Sequence, residues 1–430
     1  MKYKILTLGC KVNRYESEAI ATILKRNGLT QSEKGEECDV FILNSCTVTS
    51  TGDQKVRQSL RREKAKNPHA VIVLTGCMAQ AFPEKSSELE EADIILGTSN
   101  RNRILEHIMR FISCKQRIID ITPHGNGEKF EKMEIDDFSD RTRAYIKIQD
   151  GCNRFCSYCI IPYARGRVRS KPLEDLKHEL EKIAENGYKE VVLTGINLSC
   201  YGQDLGLGIC DAIECANNTD KIERIRLGSL EPELLTIDVI NRMKKSKKLC
   251  PQFHLSLQSG CDETLKRMNR HYDSAEYCEI VENLRNTFEN CAITTDVMVG
   301  FPNESDEEFE KNLNFAKKVK FAQAHVFAYS IRQGTKAAVM ENQILKKVKE
   351  DRSHKMIKAT DETRIAYFDD MIGKKFAVLF EREVSKNVYE GYTENYVPVI
   401  CSSGTNIKNS ILKVSLEFHD DKTCFGKIIN

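Results

Sequence analysis

Short apolar runs alternate with longer amphipathic segments near the start of the chain, and this alternation constrains the fold more than any other feature. The apolar runs have the length of strands and occupy residues 3–8, 40–43, 70–74 and 94–96. Helical segments such as 17–27 and 53–66 lie between them. This order predicts an α/β fold with a doubly wound parallel sheet, which we assign to residues 1–114.

The alternation restarts further along the chain. Six more strand candidates occupy residues 144–149, 190–193, 222–227, 253–257, 292–299 and 323–329. The helix after the first candidate is signalled by Pro172 at its start and Gly187 at its end. Six strand–helix units are too few for a complete eightfold barrel, so we expect an open (βα)6 partial barrel over residues 142–345. Its chemistry should lie at the carboxyl ends of the strands.

Three remaining segments differ in character. Residues 115–141 are polar and have no clear period, which predicts a linker. Residues 346–372 are typical of a charged connecting helix. In residues 373–430, strand-length runs are separated by turn residues, which predicts a small C-terminal β-barrel.

Composition excludes several classes of protein. The 65 Lys+Arg and 63 Asp+Glu give a net charge of only +2, which argues against a strongly basic nucleic-acid binder but not against local basic patches. No apolar run approaches the ~18 residues of a membrane-spanning helix, and the N-terminus does not resemble a signal peptide. We therefore expect a cytoplasmic protein with no membrane partner. Its 17 cysteines then favour metal or redox chemistry over disulfides.

The sharpest motif is GCNRFCSYC, which places Cys152, Cys156 and Cys159 directly after the first barrel strand. Three thiolates on one loop can hold a single iron–sulfur cluster. The alternative is half of a zinc ribbon, which would want a second close pair of cysteines. None of the cysteines that follow offers a C-x2-C pair, so we favour the cluster.

Three other cysteines, Cys10, Cys46 and Cys77, each lie a few residues past a strand of the first sheet. The carboxyl ends of parallel strands share one edge, where open α/β sheets bind ligands. These residues therefore form either a second three-cysteine site or three unrelated buried cysteines.

Several motif blocks resemble the radical SAM (S-adenosylmethionine) methylthiotransferase family over essentially the whole chain. They are GCKVNRYES, NSCTVTS and GCMAQ in the first part, and IKIQDGCNRFCSYCIIPYARGR, LTGINL, RLGSLEP, HLSLQSG and TDVMVGFPNES in the second. The resemblance implies two [4Fe-4S] clusters and S-adenosylmethionine as cofactors. It makes Cys10, Cys46 and Cys77 ligands of a sulfur-handling cluster, and Cys152, Cys156 and Cys159 ligands of a radical-generating one. The terminal β module would be a TRAM domain, which binds RNA.

The resemblance also implies a substrate, the tRNA anticodon stem-loop, with an electron donor and a sulfur source that we do not identify. GCKVN and NSCTVT look like the branch that puts a methylthio group on C2 of N6-threonylcarbamoyladenosine at position 37. Met78 looks more like the branch that acts on N6-isopentenyladenosine, which is our alternative. A hypothesis of a different class is a non-catalytic, zinc-stabilised RNA-binding protein.

Other residues are weaker candidates. Contacts to S-adenosylmethionine are expected from Tyr158 in the cysteine motif and from residues at strand ends, namely Gly195, Asn197, Ser229, Glu231, Gln258 and Ser259. Ordinary turn and cap chemistry is the alternative for the strand-end residues. A basic stretch either holds tRNA phosphate on one side of an extended segment or is simply solvated; it contains Arg165, Arg167, Arg169 and Lys171. Tyr389, Tyr392 and Tyr396 either stack on bases or pack in the core.

Overall fold

The structure is a computed structural model that describes residues 1–33, 35–136 and 142–429. Its N-terminal part is a six-stranded parallel sheet. Side by side, the strands are Thr30–Gln31, Lys2–Thr7, Val40–Ser45, Val71–Gly76, Ile94–Leu96 and Ile118–Asp120. The helices of this part are Lys11–Arg26, Ser50–Lys66, Cys77–Ala81, Pro83–Ser87 and Ile104–Cys114, with a 3-10 turn at Arg101–Arg103.

Strand Val40–Ser45 shows why helices cover both faces of this sheet. All of its residues are buried, and successive side chains point to opposite faces. Val40 and Ile42 join the core that contains helix Lys11–Arg26, whereas Phe41 and Leu43 pack with Leu60 of helix Ser50–Lys66. The prediction of a doubly wound sheet is confirmed.

The segment expected to be a linker, 115–141, contributes to this sheet. Ile118–Asp120 pairs in parallel with Ile94–Leu96 as the last strand, and Ile118 is buried. Three residues are too short to show a period, which is why the sequence pattern missed this strand. Residues 137–141 of the expected linker lie outside the described residues.

The central part is an open, six-stranded parallel barrel, as predicted. Its strands are Arg143–Lys147, Glu190–Thr194, Arg224–Leu227 continuing as Ser229–Leu230, Gln252–Leu255, Ala292–Val299 and Gln323–Ala328. Its helices are Ile161–Arg165, Leu173–Glu185, Ile209–Asn217, Ile237–Met243, Asp262–Arg267, Ser274–Thr287 and Asp306–Val319, with 3-10 turns at Leu198–Cys200, Pro232–Leu234 and Lys336–Val339. The third strand breaks at Gly228, so that its first half pairs with the second strand and its last two residues pair with the fourth. This break curves the sheet.

The C-terminal part begins with the long helix Lys346–Met371. A closed barrel of five strands follows, made of Lys375–Ser385, Val388–Thr393, Pro398–Ser402, Ile411–His419 and Cys424–Ile428. The predicted small β-barrel is therefore confirmed. In the described part of the chain, no helix is both long enough and apolar enough to cross a membrane.

One hydrophobic core runs from the N-terminal sheet into the central barrel. It contains Tyr15 and Ile20 of the first helix together with Ile146 and Val192 of the barrel strands, all nearly inaccessible to solvent. Tyr15 also donates a hydrogen bond to Glu179 of the barrel helix Leu173–Glu185. These contacts therefore fix the position of the carboxyl end of one sheet relative to that of the other.

Candidate active site

The loop of Cys152, Cys156 and Cys159 begins where the two-residue strand Gln149–Asp150 ends. Gly151 starts it with a positive φ of 72°, and a Cβ there would lie 1.9 Å from the carbonyl oxygen of Arg167. Only glycine fits this close approach. The loop is then held from both sides, because the Cys152 N–H donates to Gly166 and the Ser157 N–H donates to Met268, each at 3.0 Å.

Polar side chains surround the sulfurs of this loop. Arg270 donates to Cys156 Sγ at 3.3 Å and forms an ion pair with Glu231. Asn197 donates to Cys152 Sγ at 3.8 Å. Of two residues expected at the cofactor site, Asn197 thus contacts a thiol directly and Glu231 holds the arginine that contacts another. Arg270 was missed, since it contacts Cys156 across 114 residues of sequence and no local pattern marks it.

The other three cysteines meet at the carboxyl edge of the N-terminal sheet. Asn13 Oδ1 lies 3.7 Å from Cys10 Sγ and 4.0 Å from Cys77 Sγ. A Cβ on Gly9 would lie 3.0 Å from Cys46 Sγ. The three strand ends therefore bring these thiols to one place around Asn13 and Gly9.

Arg165 links the barrel to the thiols of the N-terminal sheet. It lies six residues after Cys159, yet it donates to Cys77 Sγ at 3.1 Å and to Asn13 Oδ1 at 2.6 Å. It also pairs with Glu16 of the first helix and lies 3.4 Å from Asp150 of the barrel. This guanidinium is fully buried.

The basic stretch that contains Arg165 therefore differs from both of its predicted roles. Arg165 lies in helix Ile161–Arg165 rather than in an extended segment. Arg169 and Lys171 are also buried, against Glu128 and Glu179 respectively. Arg167 alone of the four is exposed, with its guanidinium over the Phe155 ring. Three of the four cations therefore form ion pairs inside the protein, and they are neither available to phosphate nor exposed to solvent.

Glu16 is the centre of a buried ion network between sheet and barrel. It forms ion pairs with Arg101 at 2.5 Å and with Lys147 at 2.8 Å, in addition to Arg165. Burial alone would raise the pKa of Glu16, but these three cations lower it to about 2. The thiol of Cys77 behaves differently, because burial raises its pKa to about 12 against the opposing charge of Arg165.

A cavity of about 560 Å³ opens between the N-terminal sheet, the barrel and the C-terminal domain. Cys10 lines it on one side, and the strand-end residues Gly195 and Ser229 line it on the other. Among the described residues, most of the remaining lining residues have polar or charged side chains; the full set is Gly9, Lys11, Val12, Thr194, Arg226, Leu227, Gly228, Gln252, His254, Thr294, Asp296, Gln323, His325 and Tyr396. The cavity thus contains one thiol of the first set, Cys10, and Gly195 on its wall lies two residues before Asn197, which donates to Cys152.

The other expected cofactor residues have different partners. Tyr158 packs edge-on against Phe301 at 6.5 Å. Gln258 and Ser259 are buried; Gln258 has a positive φ of 65°, and the Ser259 hydroxyl accepts from the Cys261 N–H at 3.2 Å. For Ser259 this is the turn chemistry of our alternative reading.

The C-terminal tyrosines divide into two groups. Tyr389 is buried in the core of the small barrel. Tyr392 and Tyr396 stack on each other at 4.8 Å, and the guanidinium of Arg143 lies about 5 Å from both rings. Arg226 lies 4.6 Å from Tyr396 on the cavity side. Tyr392 and Tyr396 thus join the C-terminal domain to the barrel.

The donor chemistry of both cysteine sets fits an iron–sulfur cluster. Each set offers three thiols, with one buried arginine hydrogen-bonded to one sulfur, Arg165 at Cys77 and Arg270 at Cys156. Thiolates are the usual ligands of such clusters, and positive charge beside a sulfur stabilises the negative cluster. Within the described residues, no three His, Cys, Asp or Glu side chains converge closely enough to hold one metal ion.

Comparisons with known proteins agree with this architecture. A family described as the radical SAM superfamily matches residues 146–316, and the uncharacterized protein family UPF0004 matches residues 2–97. The solved structure of the radical SAM methyltransferase TsrM from Kitasatospora setae, with cobalamin and a [4Fe-4S] cluster bound, has a TM-score of 0.58 at 12% identity. The match covers 79% of this chain and 77% of the TsrM chain, and it supports only the fold.

Two relatives match nearly end to end. The threonylcarbamoyladenosine tRNA methylthiotransferase MtaB of Bacillus subtilis (strain 168) is 37% identical over 95% of this chain and 92% of its own length. The tRNA-2-methylthio-N(6)-dimethylallyladenosine synthase of Pelotomaculum thermopropionicum is 34% identical over 96% of this chain and 95% of its own length. The chain therefore belongs to the family of radical SAM tRNA methylthiotransferases.

Proposed function

We propose that this enzyme methylthiolates C2 of N6-threonylcarbamoyladenosine at position 37 of tRNA. The product is the 2-methylthio derivative of that nucleoside. Membership of an enzyme family that covers nearly the whole chain removes the basis for the zinc-stabilised, non-catalytic hypothesis. The names of the relatives support both nucleosides, so the choice between them depends on the cavity.

The polar and charged side chains among the residues that line the cavity are the observation that carries this choice. Among its described lining residues, Val12 and Leu227 are the only aliphatic side chains larger than a methyl group, whereas Lys11, Arg226 and Gln323 present cations or amides. A threonylcarbamoyl group carries a carboxylate, a hydroxyl and a urea, all of which need polar partners. An isopentenyl group is a hydrocarbon and would leave these partners unpaired.

Met78, which suggested the isopentenyl branch, does not bear on this choice. Its side chain is 1% exposed and packs in the second core of the N-terminal sheet with Leu43 and Leu74. It is absent from the described lining of the cavity. Met78 therefore contributes to core packing and does not contact a nucleoside in the cavity.

The cysteines supply the cofactor sites in this proposal. Cys152, Cys156 and Cys159 would hold the [4Fe-4S] cluster that binds S-adenosylmethionine, and Cys10, Cys46 and Cys77 would hold the second cluster. When bound, these groups supply the radical and the methylthio group, respectively. C2 of adenosine is an unactivated aromatic C–H without usable acidity, so no side chain is needed as a general base for it.

The chain itself then binds and orients. Arg270 donates to the sulfur of Cys156 and is itself fixed by Glu231, and Asn197 donates to the sulfur of Cys152. Arg165 holds Cys77 against the barrel. The cavity between Cys10 and Ser229 would receive the modified adenosine beside both sets of thiols. The electron donor, the sulfur source and the cytoplasmic location stay sequence-based predictions.

Mass spectrometry of tRNA tests the proposal directly. Digested tRNA from a deletion strain should lose the 2-methylthio form of threonylcarbamoyladenosine and accumulate its parent, and the wild-type gene should restore the product. A Cys152→Ala gene is the matched control and should fail to restore it. Loss of the 2-methylthio isopentenyl nucleoside instead would overturn the substrate assignment and leave the enzyme class standing.

A further inference from the structure

We propose that Lys11 is a specificity-determining residue, whose ammonium group binds the carboxylate of the threonylcarbamoyl substituent. The inference rests on the proposed function and deepens it by naming the residue that recognises the substituent. Lys11 is the first residue of helix Lys11–Arg26, directly after Cys10, and it is an exposed lining residue of the cavity.

Lys11 is the lining cation whose charge is left without a partner. Arg226 is held by Glu190 at 3.0 Å and donates further to the backbone carbonyls of Glu394 and Thr393. Lys11 has no hydrogen bond or ion pair with any residue that the structure describes. Its three N–H groups therefore remain available to an anion.

The acidic groups nearby are engaged elsewhere. Asp296 is the only carboxylate in the described lining, and its Oδ2 lies 3.3 Å from His254 Nε2. Glu190 is shared by Arg226 and Arg224. Lys11 is therefore a cation of this cavity that no described carboxylate pairs with, and an anionic substituent would neutralise it.

The geometry of the nucleoside suits a cation next to Cys10. The urea of a threonylcarbamoyl group has an N–H that can donate to N1 of the purine, and N1 is bonded to C2. The threonyl carboxylate and the reacting carbon then share one edge of the base. A residue beside Cys10 can reach the carboxylate while C2 faces the thiols at the carboxyl edge of the N-terminal sheet.

Binding measurements separate this role from a general contribution to tRNA affinity. The probes are two anticodon stem-loops, one with threonylcarbamoyladenosine at position 37 and one with its carboxylate methyl ester. The proteins are the reconstituted wild type, Lys11→Gln, Lys11→Arg and the control Lys25→Gln, which changes an exposed lysine of the same helix. Iron content and circular dichroism verify that each variant is folded and loaded.

The expected result is a loss confined to the charged substituent. Lys11→Gln should weaken binding of the acid by about 10- to 100-fold, the range for one hydrogen bond between charged groups, and should leave the ester unchanged. Lys11→Arg should retain most of the preference for the acid, and Lys25→Gln all of it. In the wild type, esterification alone should cost the same factor, a measurement that needs no variant.

Two results would overturn the inference. If Lys11→Gln weakens both loops equally, Lys11 is a general tRNA contact; if it weakens neither, the carboxylate is bound elsewhere. In both cases a wild type that still methylthiolates the threonylcarbamoyl loop leaves the proposed function intact. A wild type that acts on an isopentenyladenosine loop instead refutes the proposed function and the inference together.

Discussion

Replacing Arg165 with methionine should destabilise the apoprotein severely, because this residue is the buried link between sheet and barrel. The change removes the ion pair with Glu16 and the hydrogen bonds to Asn13 and Cys77 while keeping an unbranched side chain. Glu16 would remain fully buried with two of its three cations.

The magnitude follows from the burial of these charges. Removing one partner of a buried, hydrogen-bonded ion pair costs about 3–5 kcal/mol, because the remaining charge stays in the protein interior with fewer partners. Arg167→Met is the matched control two residues away. Its exposed guanidinium lies 4.8 Å from the Phe155 ring, and such a contact contributes about 0.5–1 kcal/mol.

Urea unfolding of the apoproteins under anaerobic conditions, followed by circular dichroism, measures the difference. At a slope of about 3 kcal/mol per molar urea, Arg165→Met should lower the midpoint by about 1 to 2 M, and Arg167→Met by about 0.3 M or less. Equal midpoints for the two variants would refute the view that Arg165 joins the two parts. Arg165→Lys should fall between them, because lysine keeps the charge but lacks the fork of donors.

Three other changes test separate features. Gly151→Ala should prevent assembly of the cluster on the Cys152 loop and reduce iron from about eight to about four per chain. The reason is that the added methyl group would lie 1.9 Å from the Arg167 carbonyl oxygen. Gly187→Ala is the control, because a methyl group there would have no atom within 4 Å. Glu16 has a pKa lowered from 4.5 to about 2, so it stabilises the fold above pH 4.5, and this stability disappears as the pH falls from 4.5 through 2. In thermal unfolding of the apoprotein over this pH range, Glu16→Gln should therefore show a flatter dependence than the wild type, and parallel curves would contradict this. Arg270→Met should shift the cluster at Cys156 to a more negative reduction potential in an EPR-monitored titration, because it removes a cation from the sulfur; an unchanged potential would contradict this role.

The sequence predicts the layers of this protein well because their signals are local. The runs at residues 40–43 and 292–299 are apolar and of strand length, and both are strands at or near these bounds. The helix signalled by Pro172 and Gly187 forms between them, as Leu173–Glu185. Shared strand ends likewise suffice to place Cys10 and Cys77 near each other.

The sequence does not reveal contacts that join distant segments. Arg165 resembles an exposed basic residue in a run of alternating arginines, and its burial depends on Glu16, 149 positions earlier. Arg270 meets Cys156 only because helix Asp262–Arg267 packs its end against the cysteine loop. Such partners belong to different helices, strands or loops, so neither composition nor hydrophobic periodicity can reveal them.

The uninterrupted core between the N-terminal sheet and the barrel has an evolutionary consequence. The two family matches, residues 2–97 and 146–316, describe the halves as separate modules. Yet Tyr15 and Ile146 share one apolar interior, and Glu16 and Lys147 share one charge network. Swapping either half for a counterpart from another lineage would mismatch both surfaces at once, so we expect substitutions on one side of this interface to require matching substitutions on the other.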